Sequence, residues 1–165
     1  MLPLVVLLLA GCTGGTPAPA TGPVAVDRPA VTGADVDAAC AALVAALPDE
    51  IDPGVERRPV EPDEGRTAAW GDPAVVLECG VAPPERSESP VVVNGVGFTT
   101  RDVGPANRWL THGRTVFASV TIPDAYENAV ELVFPLAGPV DATLPVDPSV
   151  PPLVDPPPTG PEPSP

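Results

Sequence analysis

A serine–histidine–aspartate site in this chain would have to use His112, because it is the only histidine in the sequence. Ser119 and Asp102 are the residues that would complete a serine–histidine–aspartate set with it. The Gly-x-Ser-x-Gly turn that presents a nucleophilic serine in many hydrolases does not occur. The Thr-His-Gly-Arg run around His112 is more typical of a surface loop ahead of a strand. We therefore expect no catalytic residues, and a cell-wall or lipid hydrolase that uses His112 is the alternative hypothesis.

The basic side chains can support few kinds of catalysis, because all eight are arginine and no lysine occurs. A phosphate-binding loop lysine, a Schiff base and a serine–lysine acylase pair are therefore excluded.

A zinc site would need His112 plus carboxylates. The acidic stretch 49–66 lacks the regular Asp-x-Asp-x-Asp-Gly spacing of a calcium loop and is expected to be a solvated loop. We expect no metal and no cofactor.

Aromatic residues offer a different kind of site. Trp70 and Trp109, together with Arg108 and Tyr126, could line a groove for a carbohydrate or a peptide, since flat aromatic rings make good contacts. Trp70 precedes a Gly-Asp-Pro turn, and an indole beside a turn equally often covers the core. Both interpretations of Trp70 stay open from the sequence.

The start of the chain predicts where the protein is located. Leu9-Ala10-Gly11-Cys12 ends an apolar run, and this pattern is typical of a bacterial lipoprotein signal peptide. The run has about ten residues, whereas a membrane-spanning helix needs roughly twenty. Cys12 would carry a diacylglyceryl group, whose two acyl chains give stable anchoring. The usual basic residues are missing, because none precedes Arg28. We expect a lipid anchor on the extracytoplasmic face of the cell membrane.

Export determines what the other two cysteines can do. Cys40 falls in the apolar stripe of a predicted helix, and Cys79 is on the inward face of a predicted strand. With Cys12 consumed by lipid, an even pair remains in an oxidising compartment. The sequence therefore predicts a Cys40–Cys79 disulfide that joins helix to sheet.

The elements that would position these residues define an α+β fold, in which one N-terminal helix packs on a small, mostly antiparallel sheet. The helix is predicted over 34–47, with Thr32 as a capping residue and Pro48 after its end. Apolar alternation and turn residues predict strands over 55–60, 74–81, 114–122 and 130–136, the last two pairing antiparallel, and a hairpin over 91–98. An irregular connection is expected over 99–113.

Composition sets the domain organisation. We expect a signal peptide over 1–11, a lipidated cysteine and flexible tether over 12–33, a globular domain over 34–138, and a disordered proline-rich tail over 139–165. The net charge of −14 excludes nucleic acid as a partner and argues against electrostatic adhesion to anionic lipid. The partners that remain are the membrane, through the acyl anchor, and an envelope protein or cell-wall ligand.

A family resemblance supports this location. The segments that carry it are Cys40-Ala41-Ala42-Leu43 to Leu47-Pro48, Arg57-Arg58-Pro59-Val60, Ala69-Trp70-Gly71-Asp72-Pro73 running on to Cys79-Gly80-Val81, and Val93-Asn94-Gly95-Val96. Together with Val116 to Pro123 they resemble the domain of unknown function 3515 family of actinobacterial exported proteins, over roughly residues 35–138. The lack of lysine and the abundance of alanine, valine, proline and glycine are likewise typical of a GC-rich actinobacterial genome. The resemblance implies an envelope location and paired cysteines, and it implies no activity.

Overall fold

The computed structural model describes residues 22–85, 90–151 and 153. Within these ranges the chain forms nine strands and two helices in an α+β arrangement. The strands are β1 (Val24–Ala25), β2 (Arg57–Arg58), β3 (Val60–Glu61), β4 (Thr67–Trp70), β5 (Val75–Cys79), β6 (Val91–Val93), β7 (Val96–Asp102), β8 (Ala106–Thr111) and β9 (Ala118–Pro123). The helices are α1 (Ala34–Ala46) and α2 (Ala129–Thr143). Neither described helix is long and apolar enough to cross a bilayer.

Seven strands form one antiparallel sheet in the order β2-β4-β5-β9-β8-β7-β6. The β6–β7 hairpin turns at Asn94 and Gly95, whose φ angles of 47° and 83° are those that an Asn-Gly turn supplies. β1 pairs with β3 in a separate, parallel two-stranded sheet. The prediction of a small, mostly antiparallel sheet is confirmed.

One face of the sheet carries the core. Along β5, Val75, Leu77 and Cys79 are fully buried, whereas Val76 and Glu78 on the opposite face are half-buried. Cys79 forms a disulfide with Cys40 of α1, as predicted, with their Cα atoms 5.5 Å apart. α1 and α2 therefore lie on the same side as Cys79, and we call the other side the open face.

α1 matches its predicted extent, but it begins differently. Its N-cap is Gly33 rather than Thr32, and no side chain caps the helix. The first intrahelical hydrogen bond of α1 runs from the Asp37 amide to the Gly33 carbonyl at 2.8 Å. Cys40 and Leu43 are the fully buried members of its apolar stripe.

The strand predicted over 130–136 is wrong, because these residues belong to α2. The alternating set Val130, Leu132, Phe134 and Leu136 also contains two pairs at helical spacing. In the structure Leu132 and Leu136 are buried, whereas Val130 and Phe134 are exposed. Residues Leu132, Val133, Leu136, Ala137 and Val140 form the buried stripe, which has the helical and not the extended period.

The observed strands differ from the predicted ones at four further places. The strand predicted over 55–60 is split at Pro59 into β2 and β3, which belong to different sheets. β4 was not predicted, because all four of its residues are buried and show no alternation. The connection expected to be irregular over 99–113 contains most of β7 and all of β8. The strand predicted from Arg114 begins only at Ala118.

The folded region also exceeds the predicted 34–138. β1 lies in the expected tether, and α2 runs past the boundary to Thr143. Leu144 is buried, and the amide of Asp147 donates to the Gly113 carbonyl at 2.9 Å. The predicted signal peptide, Cys12 and residues 154–165 of the predicted tail lie outside the described residues.

Candidate functional site

A cavity of about 420 Å³ lies on the open face of the seven-stranded sheet. Its floor is formed by side chains of β5, β7 and β8, and its walls by residues 28–30 and 81–85. Volumes of this size are typical of small-molecule sites in proteins.

Strand register places the floor residues side by side. One cross-strand row consists of Thr67, Glu78, Ser119, Leu110 and Thr99. The neighbouring row consists of Ala69, Val76, Thr121, Arg108 and Arg101. Directly opposite residues in antiparallel strands have Cβ atoms about 5 Å apart, so Arg101 and Arg108 are immediate neighbours.

The two arginines are held very differently. The Arg108 guanidinium lies 2.7 Å from the Glu78 carboxylate and donates to the Ser119 hydroxyl at 2.9 Å. The Arg101 side chain makes no hydrogen bond to the described residues, and its nearest described carboxylate, Glu85, is 3.8 Å away. The Arg101 and Glu85 side chains are 53% and 76% exposed, so solvent screens this pair strongly.

The walls are fixed to the sheet by main-chain hydrogen bonds. The Val31 amide donates to the Gly80 carbonyl at 2.9 Å, and the Gly80 amide donates to the Phe117 carbonyl at 2.8 Å. The buried Arg66 guanidinium donates to the Val31 carbonyl and lies 3.4 Å from Asp37. These bonds hold the ends of both wall segments next to β5.

The aromatic groove inferred from the sequence does not form. Trp70 is fully buried on the helix-covered face, where its indole donates to the Pro48 carbonyl at 3.0 Å and Arg57 lies over the ring. Trp109 lies on the same face and packs edge-on against Phe98. Of the four residues, only Arg108 lines the open-face cavity. Neighbouring residues on a strand point to opposite faces, which separates Arg108 from Trp109.

Tyr126 has a local role at the turn after β4. Its hydroxyl donates to the Pro73 carbonyl at 2.8 Å. Burial, and secondly the nearby Asp72 carboxylate, raise the pKa of Tyr126 above its ordinary value of 10.0. The hydroxyl therefore stays protonated, and remains a hydrogen-bond donor, through the neutral range.

His112 borders a second, smaller cavity of about 180 Å³, which Arg114 and Asp141 also line. Asp141 accepts a hydrogen bond from Arg114 at 2.8 Å, and His112 Nδ1 is buried with no partner among the described residues. Ser119 and Asp102 are engaged elsewhere, with Arg108 and Asn107. The serine–histidine–aspartate set considered from the sequence is therefore not assembled.

The cavity residues Glu78, Thr99 and Arg101 were not identified from the sequence. The available signal was the polar run Thr99-Thr100-Arg101-Asp102 after an Asn-Gly hairpin, which is too polar to resemble a strand with a buried face. In the described ranges, no three His, Cys, Asp or Glu side chains form a group that could hold a metal ion.

Comparison with known proteins gives a family and no activity. No curated protein and no solved structure matches the chain. The sequence profile of the family described as "Protein of unknown function (DUF3515)" matches residues 1–149, which is most of the chain. The chain therefore belongs to this family, the one that its cysteine and Trp-Gly-Asp-Pro segments resemble.

Proposed function

We propose that this protein is a lipid-anchored, non-catalytic binding module on the outer face of the cytoplasmic membrane. The Leu-Ala-Gly-Cys pattern at residues 9–12 supports the anchor. The disulfide between Cys40 and Cys79 supports export, because structural disulfides persist mainly in oxidising compartments. The ligand is a component of the cell envelope.

The open-face cavity is the observation on which the binding function depends. It combines a charged floor with walls that are mostly proline, alanine and valine, which suits a small-molecule site. A hydrolase that uses His112 has less support, since Ser119 and Asp102 bond to Arg108 and Asn107, and the Asp141 carboxylate that lines the second cavity with His112 pairs with Arg114.

The anchor is tested by growing cells with an alkyne-bearing fatty acid and comparing the wild-type chain with Cys12→Ala. We expect label and membrane retention in the wild type and the loss of both in the variant, because two acyl chains supply the membrane affinity. Unchanged membrane retention of Cys12→Ala would contradict the proposal.

The binding function is tested by native mass spectrometry of the protein purified from its own envelope without denaturant. We expect a bound small molecule in the wild type and its loss in Ala30→Trp, which places an indole in the cavity wall. Ala142→Trp, at an exposed position of α2, is the matched control and should retain the molecule. A bound species that survives Ala30→Trp, or none in the wild type, would contradict a ligand site in this cavity.

A further inference from the structure

Arg101 and Arg108 place two positive charges directly opposite each other in β7 and β8, an arrangement that does not stabilise the fold. Like charges directly opposite each other in an antiparallel pair are destabilising. Glu78 offsets the charge of Arg108 at 2.7 Å, but nothing in the described chain binds Arg101 at hydrogen-bond distance. The Arg101 guanidinium thus lies at the cavity floor with Glu85 as a distant ion-pair partner and no hydrogen-bond acceptor among the described residues, in a protein whose net charge is −14.

The groups around Arg101 narrow the ligand chemistry. A guanidinium presents a planar fork of N–H donors that matches a carboxylate in two parallel hydrogen bonds. Thr99, two residues away on the same face, is buried and has a hydroxyl with no partner among the described residues. Leu110, Val81 and Pro83 add apolar surface to the floor and wall. Such a site suits an anionic group attached to an apolar body.

We infer that the open-face cavity binds a small organic carboxylate, with the carboxylate on Arg101 and its apolar body against Leu110 and the 81–85 wall. This inference rests on the proposed binding function and names its ligand class. The free carboxyl end of a short peptide and a short fatty acid share this chemistry, and both fit a volume of about 420 Å³.

The experiment uses the full chain carrying Cys12→Ala with its disulfide formed, titrated by calorimetry and by amide chemical shifts of β7 and β8. The probes are N-acetyl-alanyl-alanine, its C-terminal amide, hexanoate, hexanamide and inorganic phosphate. We expect at least one carboxylate to bind saturably, and its neutral amide to bind tenfold more weakly or worse, since hydrogen bonds to charged groups are strong. Which carboxylate binds distinguishes a peptide end from a lipid-derived acid.

Comparing variants that should weaken carboxylate binding with one that should strengthen it makes the test specific to Arg101. Arg101→Gln should weaken carboxylate binding about tenfold or more, and Arg101→Lys should have an intermediate effect because it keeps the charge and loses the fork. Glu85→Gln should tighten binding severalfold, because it removes the carboxylate that competes for Arg101. Glu131→Gln, an exposed residue on α2 at the other face, is the control and should change nothing. Thermal melting of each variant verifies the fold.

The inference is overturned if carboxylate and amide bind equally, if phosphate alone binds, if no probe binds, or if Arg101→Gln leaves the affinity unchanged. These results would leave the fatty-acid labelling of Cys12 and the Ala30→Trp comparison untouched. Failure of the carboxylate inference is therefore distinguishable from failure of the proposed function.

Discussion

Trp70 contributes to stability through both packing and hydrogen bonding. Its ring is fully buried in the core. Its indole N–H donates to the carbonyl of Pro48, which lies two residues beyond the end of α1. We expect Trp70→Ala to lower the free energy of unfolding by about 3–5 kcal/mol, because a large cavity replaces the indole and the Pro48 carbonyl loses its donor. Equilibrium urea denaturation measures this loss.

Phe134 provides the matched control for Trp70. It is an aromatic residue that is 56% exposed on α2. Phe134→Ala should change the free energy of unfolding by less than about 1 kcal/mol. Similar losses for the two variants would contradict the assignment of Trp70 to the core.

Tyr126 predicts a specific response to alkaline pH. Because burial and then Asp72 raise its pKa, the unfolded chain loses the phenolic proton at lower pH than the folded chain does. The folded state therefore holds more protons above about pH 10, and its stability falls as the pH rises through the folded pKa. Few other groups interfere, since the chain has one tyrosine and no lysine.

The comparison of wild type with Tyr126→Phe isolates this effect. The variant loses the hydrogen bond to Pro73 at every pH, but it should lack the additional decline in unfolding free energy above about pH 10. Ultraviolet absorption of tyrosinate should give a midpoint above 10.0 in the folded wild type. A midpoint at or below that value would rule out the burial argument.

The role of a single residue was predictable from the sequence where the periodicity of its helix or strand placed it on a buried face. Cys40 and Cys79 each fell on the buried face of a periodic element, and their disulfide is present. Trp70 had no such pattern around it, because Thr67, Ala68 and Ala69 are all buried and show no period of two. Arg101 was missed because it lies at the polar end of β7, beyond the core residues Val96 and Phe98, where the strand lines the cavity.

At the scale of elements, the disulfide between α1 and β5 closes a loop whose ends are 39 residues apart in sequence. On the chain-entropy model, a loop of this length contributes about 4 kcal/mol to stability. We expect the double variant Cys40→Ala, Cys79→Ala to lower the free energy of unfolding by about this amount. Chemical denaturation under non-reducing conditions is the measurement.

Cys12→Ala is the control for the disulfide, because it removes a cysteine without touching the pair. It should unfold at the same denaturant concentration as the wild-type domain. An unchanged midpoint in the double variant would mean that the covalent link contributes nothing and that packing alone joins α1 to β5.

The elements that the sequence predicted well have periodic burial on one side. α1 and β5 follow this rule, whereas the hairpin was predictable from its Asn-Gly turn. α2 was missed because a set of residues two apart also contains pairs four apart, and only tertiary packing decides which pairs are buried. Pro135 and Pro139 lie within the helix, although proline is unfavourable in a helix interior.

At the scale of the whole molecule, the segment before α1 is part of the folded structure. β1 pairs with β3, and residues 28–30 form one wall of the cavity. The order of strands that brings β5, β7 and β8 together under this wall depends on pairings between distant segments. Local periodicity carries no information about such pairings, so the sequence predicted the fold class and not the cavity.

Truncation tests the role of this segment. A chain that begins at Gly22 keeps β1 and residues 28–30, and it is the reference for the comparison. A chain that begins at Thr32 should lose about 2 kcal/mol or more, because β1 is removed and the buried Arg66 loses the Val31 carbonyl. Thermal unfolding of the two truncated chains, compared side by side, is the measurement. Equal midpoints would show that β1 and the wall are dispensable for the fold.

If Cys12 is acylated as proposed, the position of this wall in the chain limits how far the cavity reaches from the lipid bilayer. About 16 residues separate Cys12 from Arg28, and a fully stretched chain of that length spans at most about 55 Å. For a chain acylated at Cys12, the cavity entrance therefore samples a thin shell above the outer leaflet. Under the proposed anchoring, a ligand released from the bilayer would meet the cavity within this shell before it diffuses away.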